Sequence, residues 1–223
     1  MKSLFSTKSR VLVNVIGGPL FLYIIFKGQS IFNISIFAIS IIAIYELFTM
    51  FCKSENKLKD CFYFFIYLLF IALFYSSMLE IRDNQDGLYL IILMLVSIWI
   101  CDSAAYIFGS RFGKRKIAES ISPNKTWFGS ISGFFAVSLF AAIFIYINFF
   151  SLNLKYDSTS LFVCSSIIFG ILSQLGDLLE SKIKRLVGVK DSGKILMGHG
   201  GILDRFDSII FSAPFFYYLV IYG

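Results

Sequence analysis

Seven apolar stretches, at about 11–26, 31–51, 61–79, 88–108, 128–150, 161–180 and 208–222, occupy most of a 223-residue chain. Most are near the roughly 20 residues that an α-helix needs to cross about 30 Å of hydrocarbon. Hydrophobic residues make up 57% of the sequence and charged residues 15%, against about 45–50% and 25% in soluble domains. The first stretch has the look of a secretory leader, but no small-residue cleavage site follows Phe26 and further spans do, so it reads as an anchor. The expectation is an all-α integral membrane protein with about seven transmembrane helices, forming one polytopic domain over residues 1–223.

Charge placement sets the expected orientation. With the N-terminus taken as cytoplasmic, seventeen of the 20 Lys and Arg residues fall on inside segments, and only Lys27, Arg82 and Lys155 fall outside. Positive residues gather on the cytoplasmic side of membrane proteins. The acidic loop of Glu80, Asp83 and Asp86 falls outside. The net charge of +6 therefore reads as topology and attraction to anionic head groups. Few aromatics interleave with the basic clusters, which argues against nucleic acid as a partner. Cys52, Cys61, Cys101 and Cys164 are scattered with no C-x-x-C spacing, so neither a disulfide framework nor a zinc site is expected. Gly129 and Gly133 form a G-x-x-x-G, a spacing that lets helices approach closely.

That topology gives the acidic residues a common depth. At a rise of about 1.5 Å per residue, Glu46, Asp102 and Asp177 each lie roughly 21–24 Å along their helices from the outside. All three thus stop some 6–9 Å short of the inner boundary of a ~30 Å core. Ionisable groups inside a membrane are costly and usually face a bundle interior or a wet cavity. A shared cavity open to the cytosol is the expected arrangement, against the plainer possibility of separate snorkelling or ion-paired groups.

Concentrated polar chemistry lies between Ser181 and Ser208, SKIKRLVGVKDSGKILMGHGGILDRFDS. Lys182, Lys184, Arg185, Lys190 and Lys194 precede His199, the chain's only histidine, which is followed by Gly200, Gly201, Asp204, Arg205 and Asp207. Asp204 and Asp207 are three apart and share a helical face, which suits two oxygen ligands for Mg²⁺ and its phosphates. Asp177 and Ser181 share a face likewise, and Glu180 and Lys184 stand in the favourable ion-pair order. Gly198, Gly200 and Gly201 allow a turn that presents N–H groups to phosphate oxygens. A second cluster, Ser122-Pro123-Asn124-Lys125-Thr126-Trp127, opens the fifth stretch and offers Lys125 as a phosphate contact. Cations, glycines and paired carboxylates at a membrane surface point to a polyphosphate, a divalent metal and a lipid.

These residues carry a family resemblance. Lys184-Arg185, Lys190-Asp191-Ser192-Gly193, His199-Gly200-Gly201 and Asp204-Arg205 with Asp207 resemble the signature of phosphatidate cytidylyltransferases. Gln174, Gly176-Asp177 and Glu180-Ser181 resemble the helix leading into it, and Asp102-Ser103-Ala104-Ala105-Tyr106 with Gly109 and Gly113-Lys114 is similar to another family block, as is Ser122 to Trp127. The likeness runs from about Asp102 to Ser208, a catalytic part with loops at 109–127 and 181–207; Met197, Asn124 and Phe128 depart from the usual pattern.

The resemblance implies transfer of the cytidylyl group of CTP to phosphatidic acid, giving CDP-diacylglycerol and pyrophosphate. It implies Asp177, Asp204 and Asp207 around Mg²⁺. Lys184, Arg185, Lys190 and Arg205 would counter phosphate charge, and Asp191 and His199 would belong to the catalytic loop. Asp102, Ser122, Lys125, Ser181, Gly198, Gly200 and Gly201 would shape the substrate site. A homodimer in a bacterial inner membrane, its site facing the cytoplasm, is implied as well. Two other readings remain at this point: a CTP-dependent polyprenol or phytol kinase, and a proton-coupled transporter with Glu46, Asp102, Asp177 and His199 as a relay.

Overall fold

The structure, a computed structural model, describes residues 18–54, 57–151, 157–193, 195 and 200–221. The described part of the first apolar stretch is a short helix, α1 (Gly18–Lys27). Then come α2 (Gln29–Phe51), α3 (Lys57–Asp83) and α4 (Gly87–Phe112), a hairpin of β1 (Lys116–Ala118) and β2 (Ser122–Thr126), α5 (Trp127–Ser151), α6 (Ser158–Ile167), a π-helical turn (Ile168–Leu172), α7 (Ser173–Leu186) and α8 (Leu203–Ile221).

Among the described residues five helices are long and apolar enough to cross a membrane, counting α6, the π turn and α7 as one continuous 29-residue span. Only 22 to 50% of the most apolar window in each is buried within the protein. The rest presents side chains such as Phe37, Phe48, Leu139 and Tyr146 outward, a surface that lipid tolerates and water does not. The expected seven segments are thus all helical where described, with two distinctions. α1 is short, and α8 opens on Asp204, Arg205 and Asp207, which dilute its apolar character.

The hairpin is a departure from the all-helical expectation. β1 and β2 pair antiparallel, Lys116 with Thr126 and Ala118 with Ser122, and the Trp127 amide donates to the Arg115 carbonyl at 3.1 Å as α5 begins. Strands this short and polar carry no apolar alternation, the signal by which strands are read from sequence. The expected loops at 109–127 and 181–207 are correspondingly shorter, since α4 runs on to Phe112 and α7 to Leu186. With α6, the π turn and α7 running on as one span, the Lys125–Asp177, Lys184–Asp204 and Glu46–Leu203 contacts bring the ends of α2 and α7 and the start of α8 together with the hairpin.

α4 and α5 meet through glycine. A Cβ on Gly129 would stand 2.6 Å from the Ala105 carbonyl oxygen and 3.0 Å from the Gly109 Cα, and one on Gly133 would stand 3.0 Å from the Cys101 carbonyl oxygen. The G-x-x-x-G is therefore a packing seam, and it brings Asp102 on α4 toward the residues that precede α5. Gly129→Val should destabilise the protein by about 1–3 kcal/mol, the usual cost of overpacking a filled interface. Thermal unfolding in detergent would read this directly; an unchanged midpoint would show that the helices are not in contact there.

Candidate active site

Two lysine–carboxylate pairs organise the hairpin face. In the first, Lys125 of β2 places its Nζ 2.6 Å from Asp177 Oδ2 on α7 and donates to the Gln174 carbonyl at 3.4 Å. The Ser181 hydroxyl, one turn further along α7, donates to Asp177 Oδ1 at 3.4 Å. Asp102 of α4 lies within electrostatic reach of both Asp177 and Lys125. Gln174 fixes the helices behind them. Its side-chain amide donates to the carbonyls of Gly170 at 2.7 Å and Ser130 at 3.1 Å, and to Cys101 Sγ at 3.4 Å. Gly170 lies in the π turn, and such turns recur at functional sites.

In the second pair Lys184 bridges two acids, 2.5 Å from Glu180 Oε2 and 2.6 Å from Asp204 Oδ1. Asp204 also accepts from the Gly201 amide at 2.7 Å and from the Ser192 amide at 3.0 Å. These donors favour the ionised carboxylate. Gly200, at φ +82, occupies the left-handed region that glycine enters without strain, turning the chain so that the next amide meets Asp204. Asp207 is buried and accepts from the Ser208 amide at 2.6 Å. It interacts electrostatically with Asp102, Asp177, Glu180 and Lys184, which ties the two pairs into one polar region.

Of the other expected site residues, several are exposed. Arg185 is exposed and donates to the Val189 carbonyl at 3.3 Å, closing the end of α7. Lys190, Asp191 and Arg205 are exposed, and Ser122 opens β2 three residues before Lys125. His199 and Gly198 lie outside the described residues. The Gly201 amide, expected to face phosphate, is taken by Asp204.

Three contributors were missing from the expected set. Glu180, which its spacing to Lys184 leaves open as a helix bridge or a site residue, is 1% exposed and its Oε1 has no partner among the described residues. Tyr67 of α3 is buried within electrostatic reach of Asp177, Glu180, Asp204 and Asp207; only its depth in the third stretch could have suggested this. Ser192 meets Asp204 through its backbone, which no side-chain pattern reports.

Among the described residues no three His, Cys, Asp or Glu side chains gather closely enough to hold a metal by themselves. The chemistry of the donors nonetheless fits Mg²⁺, which takes one or two carboxylates and completes its shell with waters and substrate phosphates. Lys125 on Asp177 and Lys184 on Asp204 show that both carboxylates already attract a cation.

A family model described as the cytidylyltransferase family matches residues 50–222. Among curated relatives, a protein named phosphatidate cytidylyltransferase from Bacillus subtilis (strain 168) is 39% identical over 194 residues, covering 86% of this chain and 69% of that one. Its namesakes from Staphylococcus haemolyticus and Haemophilus influenzae are 38% and 40% identical, covering 78% and 74% of this chain. The chain spans 64% and 58% of their respective lengths.

Proposed function

We propose that this chain, which belongs to the cytidylyltransferase family, transfers the cytidylyl group of CTP to phosphatidic acid, releasing pyrophosphate and leaving CDP-diacylglycerol in the membrane. The observation that carries the reading is the pairing of Lys125 with Asp177 and of Lys184 with Asp204 at one end of an apolar bundle. Charge of both signs is concentrated where a lipid phosphate and a nucleotide could both arrive.

The reaction suits such a site. A phosphate oxygen of the lipid forms a new bond to the α-phosphorus of CTP, and the bond from that phosphorus to the bridging oxygen breaks. Pyrophosphate leaves with the electron pair. The lipid supplies the nucleophile, so the protein's work is to position the reactants and neutralise charge, the main contributions in phosphoryl-type transfer. Lys125 would meet one substrate phosphate at the mouth of α5, and Lys184, Lys190 and Arg205 would offset charge on the other. His199 and its glycines would shape the nucleotide loop. Asp177, Asp204 and Asp207 would hold Mg²⁺, which would stabilise the negative charge building on the pyrophosphate. The seventeen-to-three distribution of Lys and Arg supports a hairpin face in the bacterial cytoplasm, where CTP is available. A homodimer completes the proposal.

Purified protein given CTP with either phosphatidic acid or a polyprenol should form a nucleotide-bearing lipid only with phosphatidic acid. Phosphorylation of the alcohol, with release of CDP, would instead establish a kinase.

A further inference from the structure

We propose that Glu46 of α2 is a positioning residue for the reaction, clamping the loop that carries Ser192 and Gly201 and capping the helix that carries Asp204. The inference rests on the cytidylyl-transfer reading, but it comes from a residue outside the matched segment 50–222.

Glu46 is 1% exposed, and its carboxylate is engaged by the loop and the start of α8. Its Oε2 accepts from the Ser192 hydroxyl at 3.2 Å and from the Leu203 amide at 2.8 Å, linking residues 146 and 157 positions away. Leu203 is the first residue of α8, and the first amides of a helix have no partner within it. A carboxylate there also faces the positive end of the helix dipole. α2 thus provides the cap that starts α8.

Ser192 is gripped twice. Its hydroxyl goes to Glu46 and its amide to Asp204. The carboxylates of Glu46 and Asp204 therefore hold one loop from two helices, and Asp204 in turn holds Lys184. Fit supports the clamp: a Cβ added at Gly193 or at Gly201 would collide with the Glu46 carboxylate. Either glycine allows the loop backbone to lie against the acid.

Both recorded bonds end on Oε2, while Oε1 has no partner among the described residues. That asymmetry makes a sharp test. Glu46→Gln can put its amide oxygen where Oε2 stands and keep both donors, whereas Glu46→Ala loses them. Gly201→Ala leaves the acid in place and pushes the loop from it.

Each variant would be purified in detergent, and kcat and KM measured for CTP and for phosphatidic acid. Exchange of the Leu203 amide would be followed without substrate. Glu46→Gln should stay within about threefold of the parent, while Glu46→Ala and Gly201→Ala should lose roughly tenfold or more in kcat/KM for CTP, the order expected when two buried hydrogen bonds go. The KM for phosphatidic acid should hold within about twofold, because the clamp acts on the loop rather than on the lipid contact. The Leu203 amide should exchange faster in Glu46→Ala and unchanged in Glu46→Gln.

Equal damage from Gln and Ala would overturn the clamp, since charge rather than hydrogen-bond acceptance would then be what matters. So would an Ala variant with parental exchange and kinetics. If Glu46→Ala fails to fold, Ser192→Ala removes a single donor and should shift kcat/KM for CTP in the same direction by about threefold or more; no shift would overturn the proposal. A parent protein that makes no CDP-lipid would refute the proposed function, and the exchange data would still decide whether Glu46 holds α8.

Discussion

Asp204→Asn is expected to reduce CDP-lipid formation by at least about a hundredfold. Asp204 takes the Lys184 ammonium at 2.6 Å and the amides of Gly201 and Ser192 at 2.7 and 3.0 Å. An asparagine keeps the size but offers one acceptor oxygen and turns an NH₂ donor toward groups that are donors themselves. Hydrogen bonds to charged groups contribute about 1.5–3 kcal/mol each, and each ~1.4 kcal/mol of barrier is tenfold in rate. Loss of two without recovery therefore reaches about a hundredfold, before any contribution from bound metal. The variant should still extract into detergent as a helical protein, because the apolar bundle does not depend on this carboxylate. Turnover above half the parent's across a range of Mg²⁺ concentrations would remove Asp204 from the site.

Lys125→Met should cost roughly ten- to a hundredfold in the specificity constant for phosphatidic acid or CTP, as expected for loss of a charged hydrogen bond of about 1.5–3 kcal/mol. Methionine keeps the apolar stem and removes the ammonium that sits 2.6 Å from Asp177. Asp177 would then face Asp102 with no cation to separate them. The loss should appear in detergent, with no ion gradient, which a transporter reading does not predict. Unchanged kinetics for both substrates would make Lys125 a topology charge, and the hairpin would lose its place in the site.

Glu46 also weakens the transporter reading from another direction. Its carboxylate is engaged by Ser192 and Leu203 rather than chained to Asp102 and Asp177. Equal depth along three helices is an expectation of the sequence, and depth does not say which way a side chain points. Asp102 and Asp177 do share a region, and Glu46 turns to the loop beside it.

Much of the bundle was readable because lipid-facing helices declare themselves by length and apolarity, and the G-x-x-x-G seam was readable because small residues let helices touch. The hairpin was not, since Lys116–Ala118 and Ser122–Thr126 are too short and polar for a strand pattern. For the site, spacing of four correctly placed Ser181 on Asp177 and Lys184 on Glu180. Long-range partners such as Lys125 with Asp177 and Lys184 with Asp204 have no local period. Arg185 shows the converse: it lies inside the motif, yet it closes its own helix end.

The fate of the label from CTP tests the central claim most directly. Purified protein would be incubated with phosphatidic acid and CTP labelled at either its α- or its γ-phosphorus. Cytidylyl transfer sends the α-label into the lipid and the γ-label into pyrophosphate. Recovery of the γ-label in lipid, or of neither label, would contradict it.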